Sequence, residues 1–121
     1  MSYRQWEIEP DQISQDQSAC LAYWESLPKL PPHDIPHQST FELFGLPPAS
    51  LPTTHIVDVI NDGLDFKYRF WGSGFRDYLG YDGTGISTAG LKPAEITDPV
   101  RDAYRSVMDK ARPVAMISEF Q

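Results

Sequence analysis

The side chains with the clearest chemical potential in this chain are its three histidines. His33 and His37 are four residues apart, the spacing at which two histidines on one helical face can bind the same metal ion. Pro36 lies between them and is incompatible with a helix interior, and no further cluster of ligands accompanies the pair. His55 stands alone, without the neighbouring nucleophile or acid that a catalytic base needs. The histidines therefore predict neither a metal site nor a catalytic site.

The carboxylates in the middle of the chain are scattered over a predicted strand, a turn and loops. They are Asp58, Asp62, Asp65, Asp77 and Asp82. No spacing among them forces two carboxylates into one site, as acid–base catalysis by a carboxylate pair requires. The sequence Asp-Gly-Thr-Gly that begins at Asp82 differs from an aspartic protease motif, because the acid comes one residue too early and there is no second copy. We expect turn and surface roles for these residues, and no enzymatic activity.

Length, charge and composition limit the classes of partner. A chain of 121 residues has the size of one domain, so we predict a single domain over residues 1–121. Its formal net charge of -7 disfavours nucleic acid and anionic membrane surfaces. The first ten residues include Arg4, Glu7 and Glu9 and lack the apolar centre of a signal peptide, so we expect a cytoplasmic protein. Cys20 is the single cysteine and is interpreted as a packing residue.

Periodicity and turn residues give a coarse order of elements. Apolar residues at helical spacing predict an amphipathic helix over residues 11–27, with Asp11 or Ser14 as its cap and Pro28 after its end. β-Branched residues predict a strand over residues 53–60, and Asn61-Asp62-Gly63 supplies the turn into a second strand. The remaining predicted elements are a helical turn at 75–79 closed by Gly80, a helix at 99–111 that begins after Asp98, and a strand at 114–120.

Residues 64–70 carry the clearest alternation in the chain. Four apolar residues, Leu64, Phe66, Tyr68 and Phe70, alternate with three charged ones, Asp65, Lys67 and Arg69. Alternation with a period of two is typical of a strand with one buried face. We predict that the aromatic side of this strand packs against the helix that follows Asp98.

Three segments carry a resemblance to a known family. Asp58-Val59-Ile60, Asp65-Phe66-Lys67-Tyr68-Arg69-Phe70-Trp71-Gly72 and Leu79-Gly80-Tyr81-Asp82-Gly83-Thr84-Gly85 resemble a bacterial family of PAS-like domains best known from alphaproteobacteria. Tyr23-Trp24 and Leu51-Pro52 fit the same pattern. The resemblance spans roughly residues 19–120, and its motifs identify a fold better than a ligand.

The resemblance implies an α+β fold, with an antiparallel sheet covered by helices on one face around a small apolar cavity. The residues that line such a cavity by this reasoning are Phe66, Tyr68, Phe70, Tyr78, Tyr104 and Val107. The alternative interpretation is that all six are plain core. No cofactor is expected, because Cys20 lies outside the region that holds the reactive cysteine of flavin-binding relatives, and the helix after Asp98 has no histidine for a haem.

PAS domains continue past their third strand with two more strands that occupy the centre of the sheet. The present sequence ends at Gln121, so the core at 53–121 is expected to lack them. Three alternatives remain open at this point: a truncated product, pairing of the strand at 114–120 with the strand at 53–60, or exchange of strands between two copies.

Three functions are compatible with these features. The leading hypothesis is a non-catalytic PAS-type signalling module that contacts an unidentified signalling protein and forms a homodimer through Leu21, Trp24 and Leu27 and an open sheet edge. The second is a sensor that binds a small apolar ligand over the aromatic residues named above. The third is a small α+β hydrolase or isomerase that uses Asp58 or His55.

Overall fold

The structure is a computed structural model that describes residues 3–32 and 34–120. The strands are β1 (Tyr3–Glu7), β2 (Lys29–Leu30), β3 (Ile35–Pro36), β4 (His55–Ile60), β5 (Asp65–Trp71) and β6 (Met116–Phe120), and the helices are α1 (Gln15–Ser26), α2 (Ser73–Leu79) and α3 (Thr97–Lys110). Short 3-10 turns occupy much of the connecting chain. Helices and antiparallel strands are thus mixed, which confirms the α+β class.

The strands form two-stranded antiparallel sheets with the pairings β1–β6, β2–β3 and β4–β5. The hairpin β4–β5 is the one that β-branched content and the Asn61-Asp62-Gly63 turn predict. Asn61 and Asp62 both adopt positive φ, a conformation that Asn and Asp tolerate better than most residues. The predicted hairpin is therefore confirmed, although its second strand begins at Asp65 and leaves Leu64 outside, 66% exposed.

The last strand has a partner that sequence analysis did not assign. β6 pairs along its whole length with β1, from Tyr3 opposite Phe120 to Glu7 opposite Met116. The proposed pairing of this strand with residues 53–60 is therefore wrong. The N-terminal segment that pairs with β6 also bonds to α3: the Tyr3 hydroxyl donates to Asp102 at 2.9 Å, and Gln5 donates to the Pro99 carbonyl at 2.8 Å.

Helix α3 connects the two larger sheets. On the hairpin side, the Tyr104 and Tyr68 hydroxyls are 2.9 Å apart, Arg105 donates to the carbonyls of Gly63 and Leu64, and Arg101 lies 3.5 Å from the Asp65 carboxylate. Residues at these spacings share one face of a helix. The predicted packing of the strand against the helix after Asp98 is confirmed for Tyr68 and also for Phe66, whose ring lies 5.2 Å from that of Tyr104.

The core is centred on β5. Tyr68, Trp71 and Leu91 are its most buried cluster, and Phe75, Ile86, Ile96 and Val100 are among the residues that pack around it. The loop beyond α2 covers the free edge of β5, because Tyr68 N–H donates to the Ile86 carbonyl and Gly85 N–H donates to the Tyr68 carbonyl. α2 ends as predicted at Gly80, which adopts the left-handed conformation that glycine accepts without a side-chain clash.

A β-bulge changes which face the end of β5 buries. Ile56 pairs with Phe70 while Val57 pairs with Tyr68, so Arg69 is an extra residue in β5. Paired residues share a face and neighbours alternate, so Phe70 lies on the face opposite Tyr68. Trp71, which pairs with His55, returns to the buried face and is 6% exposed. The sequence alternation is therefore correct for Phe66 and Tyr68 and wrong for Phe70.

Of the two predicted caps, Ser14 is the one that caps helix α1, which begins at Gln15. The Ser14 hydroxyl accepts from Gln17 N–H, and the Gln17 side chain accepts from Ser14 N–H, which forms a capping box. Residues Pro10–Gln12 form a separate 3-10 turn. α1 is anchored by Tyr23, whose ring packs so closely against Gly45 that an added Cβ there would clash with it, and whose hydroxyl accepts from Glu42 N–H at 2.9 Å.

We predict that Trp71→Ala is more destabilising than Phe70→Ala. Removing a buried Trp costs about 3 to 5 kcal/mol, whereas Phe70 is only half-buried and its loss costs about half as much or less. Urea denaturation of both variants measures the difference. Tyr78→Ala is the control, since an 86% exposed side chain contributes within about 0.5 kcal/mol. An equal or larger loss for Phe70→Ala would contradict the register at the bulge.

Candidate functional site

Three of the six predicted pocket residues lie together in the core. Phe66 and Tyr68 are 1% and 2% exposed, and both contact Tyr104 through the edge-to-face ring pair and the hydroxyl pair described above. Burial is the main cause that raises the pKa of both tyrosines above the ordinary 10.0. The two phenols are therefore neutral near pH 7, and they bond to each other as packed core residues.

The other three predicted pocket residues lie elsewhere. Phe70 is on the opposite face of the hairpin and lines a small hollow of about 330 Å³ beside Pro48, Leu51 and Pro52. Tyr78 is 86% exposed on α2. Val107 is 40% exposed near the end of α3. The set does not form one cavity.

His55 is enclosed by aromatic rings. Its imidazole stacks on Phe75 at 3.9 Å between centroids, and the rings of Trp71 and Tyr68 lie 4.5 and 5.0 Å away. Burial lowers the pKa of the His55 imidazole from 6.5 to about 4. Its Nδ1 atom has no hydrogen-bond partner within the described residues, and Asp58 bonds instead to Arg69 at 2.6 Å. This arrangement pairs His55 with no acid, and it offers no support for acid–base catalysis.

A buried polar cluster closes the start of β5 against α3. The Thr88 hydroxyl, which is fully buried, donates to Asp65, and Phe66 N–H donates to the same carboxylate oxygen at 2.8 Å. Arg101 adds its positive charge. The Thr88 hydroxyl and the Asp65 carboxylate are thereby satisfied, whereas Arg101 Nε has no hydrogen-bond partner among the described residues; the cluster holds α3 and the segment at 88 to the hairpin. No three His, Cys, Asp or Glu side chains gather as a metal site in the described part of the chain; His33 lies outside it.

An open groove lies between α1 and the end of α3, with a volume of about 830 Å³. We name it the α1–α3 groove. Its lining comprises Ile13, Gln17, Cys20, Leu21 and Trp24 on and before α1, Ile35 and Pro36 of β3, Val107, Met108 and Ala111 at the end of α3, and Glu7, Ile8, Pro10 and residues 112–115 from the two terminal segments. The lining is mainly apolar.

Two of the three predicted interface residues line the α1–α3 groove. Leu21 and Trp24 face it, together with Cys20. Leu27 instead follows the end of α1, where its N–H donates to the Trp24 carbonyl at 3.2 Å. Lys29 holds this end of the helix: its ammonium group donates to the carbonyls of Trp24, Glu25 and Leu27 and lies 4.7 Å from the Trp24 ring centroid, a favourable position at a helix C-terminus.

A charge cluster at one end of the α1–α3 groove joins β1 to α3. Lys110 and Arg112 contact the Glu7 carboxylate at 2.6 and 3.0 Å. Hydrogen bonds from Arg112 and Lys110 hold the pKa of the Glu7 carboxyl at about 2 instead of 4.5. The groove lining therefore carries one acid and one base that are already paired with each other.

Sequence analysis missed this site because no single segment contains it. Leu21 and Trp24 of α1 were predicted as part of an interface, whereas Val107 was predicted as part of a core cavity. Ile35, Met108 and residues 113–115 join them only through the tertiary arrangement. The sequence analysis predicted no strand at Tyr3. This strand brings Glu7 and Ile8 to the end of α3.

A comparison of the chain with known protein families, with characterised proteins and with solved structures finds no match. Among the described residues, no helix is long and apolar enough to cross a membrane.

We predict that His55 makes stability fall as the pH drops from about 6.5 to about 4. In this window the unfolded chain binds a proton at His55 that the folded protein, with its pKa of about 4, does not bind. His55→Phe removes this proton uptake and keeps an aromatic ring on Phe75. Urea midpoints across the window measure the effect, and we expect a flatter profile for the variant. His37→Gln removes an exposed imidazole as the control; a variant profile as steep as the wild type would refute the prediction.

We also predict that Glu7 stabilises the protein above about pH 4.5 and loses this effect as the pH falls towards 2. The folded carboxyl has the lower pKa, about 2 against 4.5, so acid protonates the unfolded chain first. Glu7→Gln should be less stable than wild type at pH 5 and should converge with it near pH 2. Denaturant midpoints measure this difference. Glu25→Gln makes the same charge change at an exposed α1 position, and an identical pH profile for both variants would exclude the ion cluster as the cause.

Proposed function

We propose that the protein is a non-catalytic PAS-type signalling module that acts through protein–protein contacts. The proposed partner is a second copy of the chain, which pairs with the free edge of β4. The observation that carries this proposal is the unequal exposure of two paired residues. Val59 pairs with Phe66, so both lie on the core side of the hairpin. Phe66 is 1% exposed, whereas Val59 is 51% exposed.

The difference has a simple cause. Phe66 is covered by the ring of Tyr104 from α3, and its strand β5 has β4 on one side and the loop at 85–87 on the other. β4 has β5 as its one strand partner among residues 3–32 and 34–120. An edge strand presents unpaired N–H and C=O groups that bind another strand, and a two-stranded ribbon is marginal without further cover. A strand added beside β4 would complete the core face at Val59.

Charge is compatible with a second copy as the source of that strand. The chain has a net charge of -7, which opposes contact between acidic surfaces. β4 contains one acidic residue, Asp58, and its carboxylate is bonded to Arg69 at 2.6 Å. The remaining residues of the strand are His55, which is neutral near pH 7 because its pKa is about 4, and four β-branched residues, Ile56, Val57, Val59 and Ile60. Two β4 strands can therefore pair without like-charge repulsion.

We predict that Val59→Lys weakens self-association. Natural edge strands use inward-pointing charged residues to prevent pairing with another strand. A Lys at position 59 should act in the same way, and we expect the dimer dissociation constant to rise roughly tenfold or more. Sedimentation velocity across the micromolar range measures it. Leu64→Lys is the matched control, because Leu64 is an apolar residue of still higher exposure, 66%, outside both strands. A wild-type protein that stays monomeric, or equal effects of the two variants, would refute the proposal.

A further inference from the structure

The α1–α3 groove lies apart from the free edge of β4, and its lining contains no residue of β4 or β5. We infer that the α1–α3 groove is a binding site for an uncharged, mainly apolar small molecule. This inference goes beyond the proposed self-association, because it concerns a different surface and a different class of ligand.

Size is the first argument. The volume of about 830 Å³ falls within the range of roughly 300 to 1,000 Å³ that small-molecule sites occupy. Separate parts of the chain form its walls: Leu21 and Trp24 of α1, Val107 and Met108 of α3, and Ile35 of the β2–β3 hairpin. Val107, Met108 and Ile35 are 40, 39 and 39% exposed. A molecule in the groove would remove these apolar side chains from water.

Charge defines the ligand class. The charged residues in the lining are Glu7 and Arg112, and they are bonded to each other at 3.0 Å. Lys110 adds a second contact to the same carboxylate. A charged ligand would have to separate these pairs or remain unpaired in an apolar site, which is costly. An uncharged ligand leaves them intact, and Gln17 and the Cys20 thiol provide polar atoms for a single orienting contact.

Contacts at several points hold α1 in its position beside the groove. The capping box of Ser14 and Gln17 fixes its start, Lys29 fixes its end, and Tyr23 packs on Gly45 on the side away from the groove. A ligand therefore meets a preformed site and does not have to order the helix when it binds. In this respect the α1–α3 groove differs from an exposed helix that becomes ordered only when a protein partner binds.

The probe for the test is N-phenyl-1-naphthylamine, an uncharged apolar fluorophore, titrated into the intact chain. We expect saturable binding of one probe per chain by fluorescence and by native mass spectrometry, with quenching of Trp24 emission that Trp24→Phe removes. An anionic naphthalene sulfonate of similar size should bind at least roughly tenfold more weakly, because the groove lining holds no free cation. Equal affinity of the two probes would overturn the assignment of an uncharged ligand.

Val107→Glu places an unpaired charge in the groove at a side chain that is already 40% exposed, and Ile35→Glu does so from the hairpin. Each should weaken probe binding roughly tenfold or more. Ala22→Glu is the control: it makes the same kind of change at an exposed α1 position outside the lining. No saturable binding, or binding that is unchanged in both variants, overturns the inference.

Self-association and ligand binding are separated in the same experiment. Val59→Lys should keep full probe affinity, and Val107→Glu should keep the wild-type sedimentation coefficient. If Val107→Glu instead dissociates the protein, the α1–α3 groove is a contact between copies and the small-molecule inference fails. If probe binding is lost only in Val107→Glu and Ile35→Glu while self-association is absent throughout, the ligand site stands and the proposed function falls.

Discussion

The position of α3 between two small sheets is the constraint on which the rest of the fold depends. One face of the helix holds the hairpin β4–β5 through Arg101, Tyr104 and Arg105. A neighbouring face holds β1, and with it β6, through Asp102 and Lys110. Two-stranded ribbons are marginal in water by themselves, so each sheet takes its stability from this common helix. Tyr68 and Trp71 belong to the most buried apolar cluster, and the polar contacts fix the register of the helix on the strands.

The sequence predicts the parts of this arrangement whose signals are local. The turn at Asn61-Asp62-Gly63 and the β-branched run before it specify the hairpin, and Asp98 followed by Pro99 marks the first turn of α3 within two residues of its start at Thr97. The bulge at Arg69 has no comparable signal, since alternation continues in the sequence while the strand shifts by one residue. The pairing of β1 with β6 joins residues more than a hundred positions apart, and short polar strands give little indication of their partner. The face of Phe70 and the partner of β6 are therefore among the features that the sequence does not predict.

The sequence predicts a pocket in the core, whereas the structure has its groove at the surface. A cavity under the aromatic face of β5 requires that Phe66, Tyr68 and Tyr104 leave space between them. They do not, because ring contact and the hydroxyl pair bring Tyr104 directly onto both residues. Close packing of this kind is the normal state of a protein interior. The unfilled volume lies instead between α1 and α3. The apolar residues Cys20, Leu21 and Trp24 of α1 face that space.

The free edge of β4 and the α1–α3 groove share no residue, but the turn after β4 lies beside one residue of the groove lining. Met108 lines the groove, and it also lies so close to Gly63, in the turn after β4, that an added Cβ there would be 3.2 Å from its sulfur. Arg105, one turn earlier, bonds the carbonyls of Gly63 and Leu64. Coupling between two sites requires an element whose arrangement both sites bias. The free edge of β4 contributes no residue to the groove lining, so we expect ligand binding in the groove and strand pairing at β4 to be independent of each other.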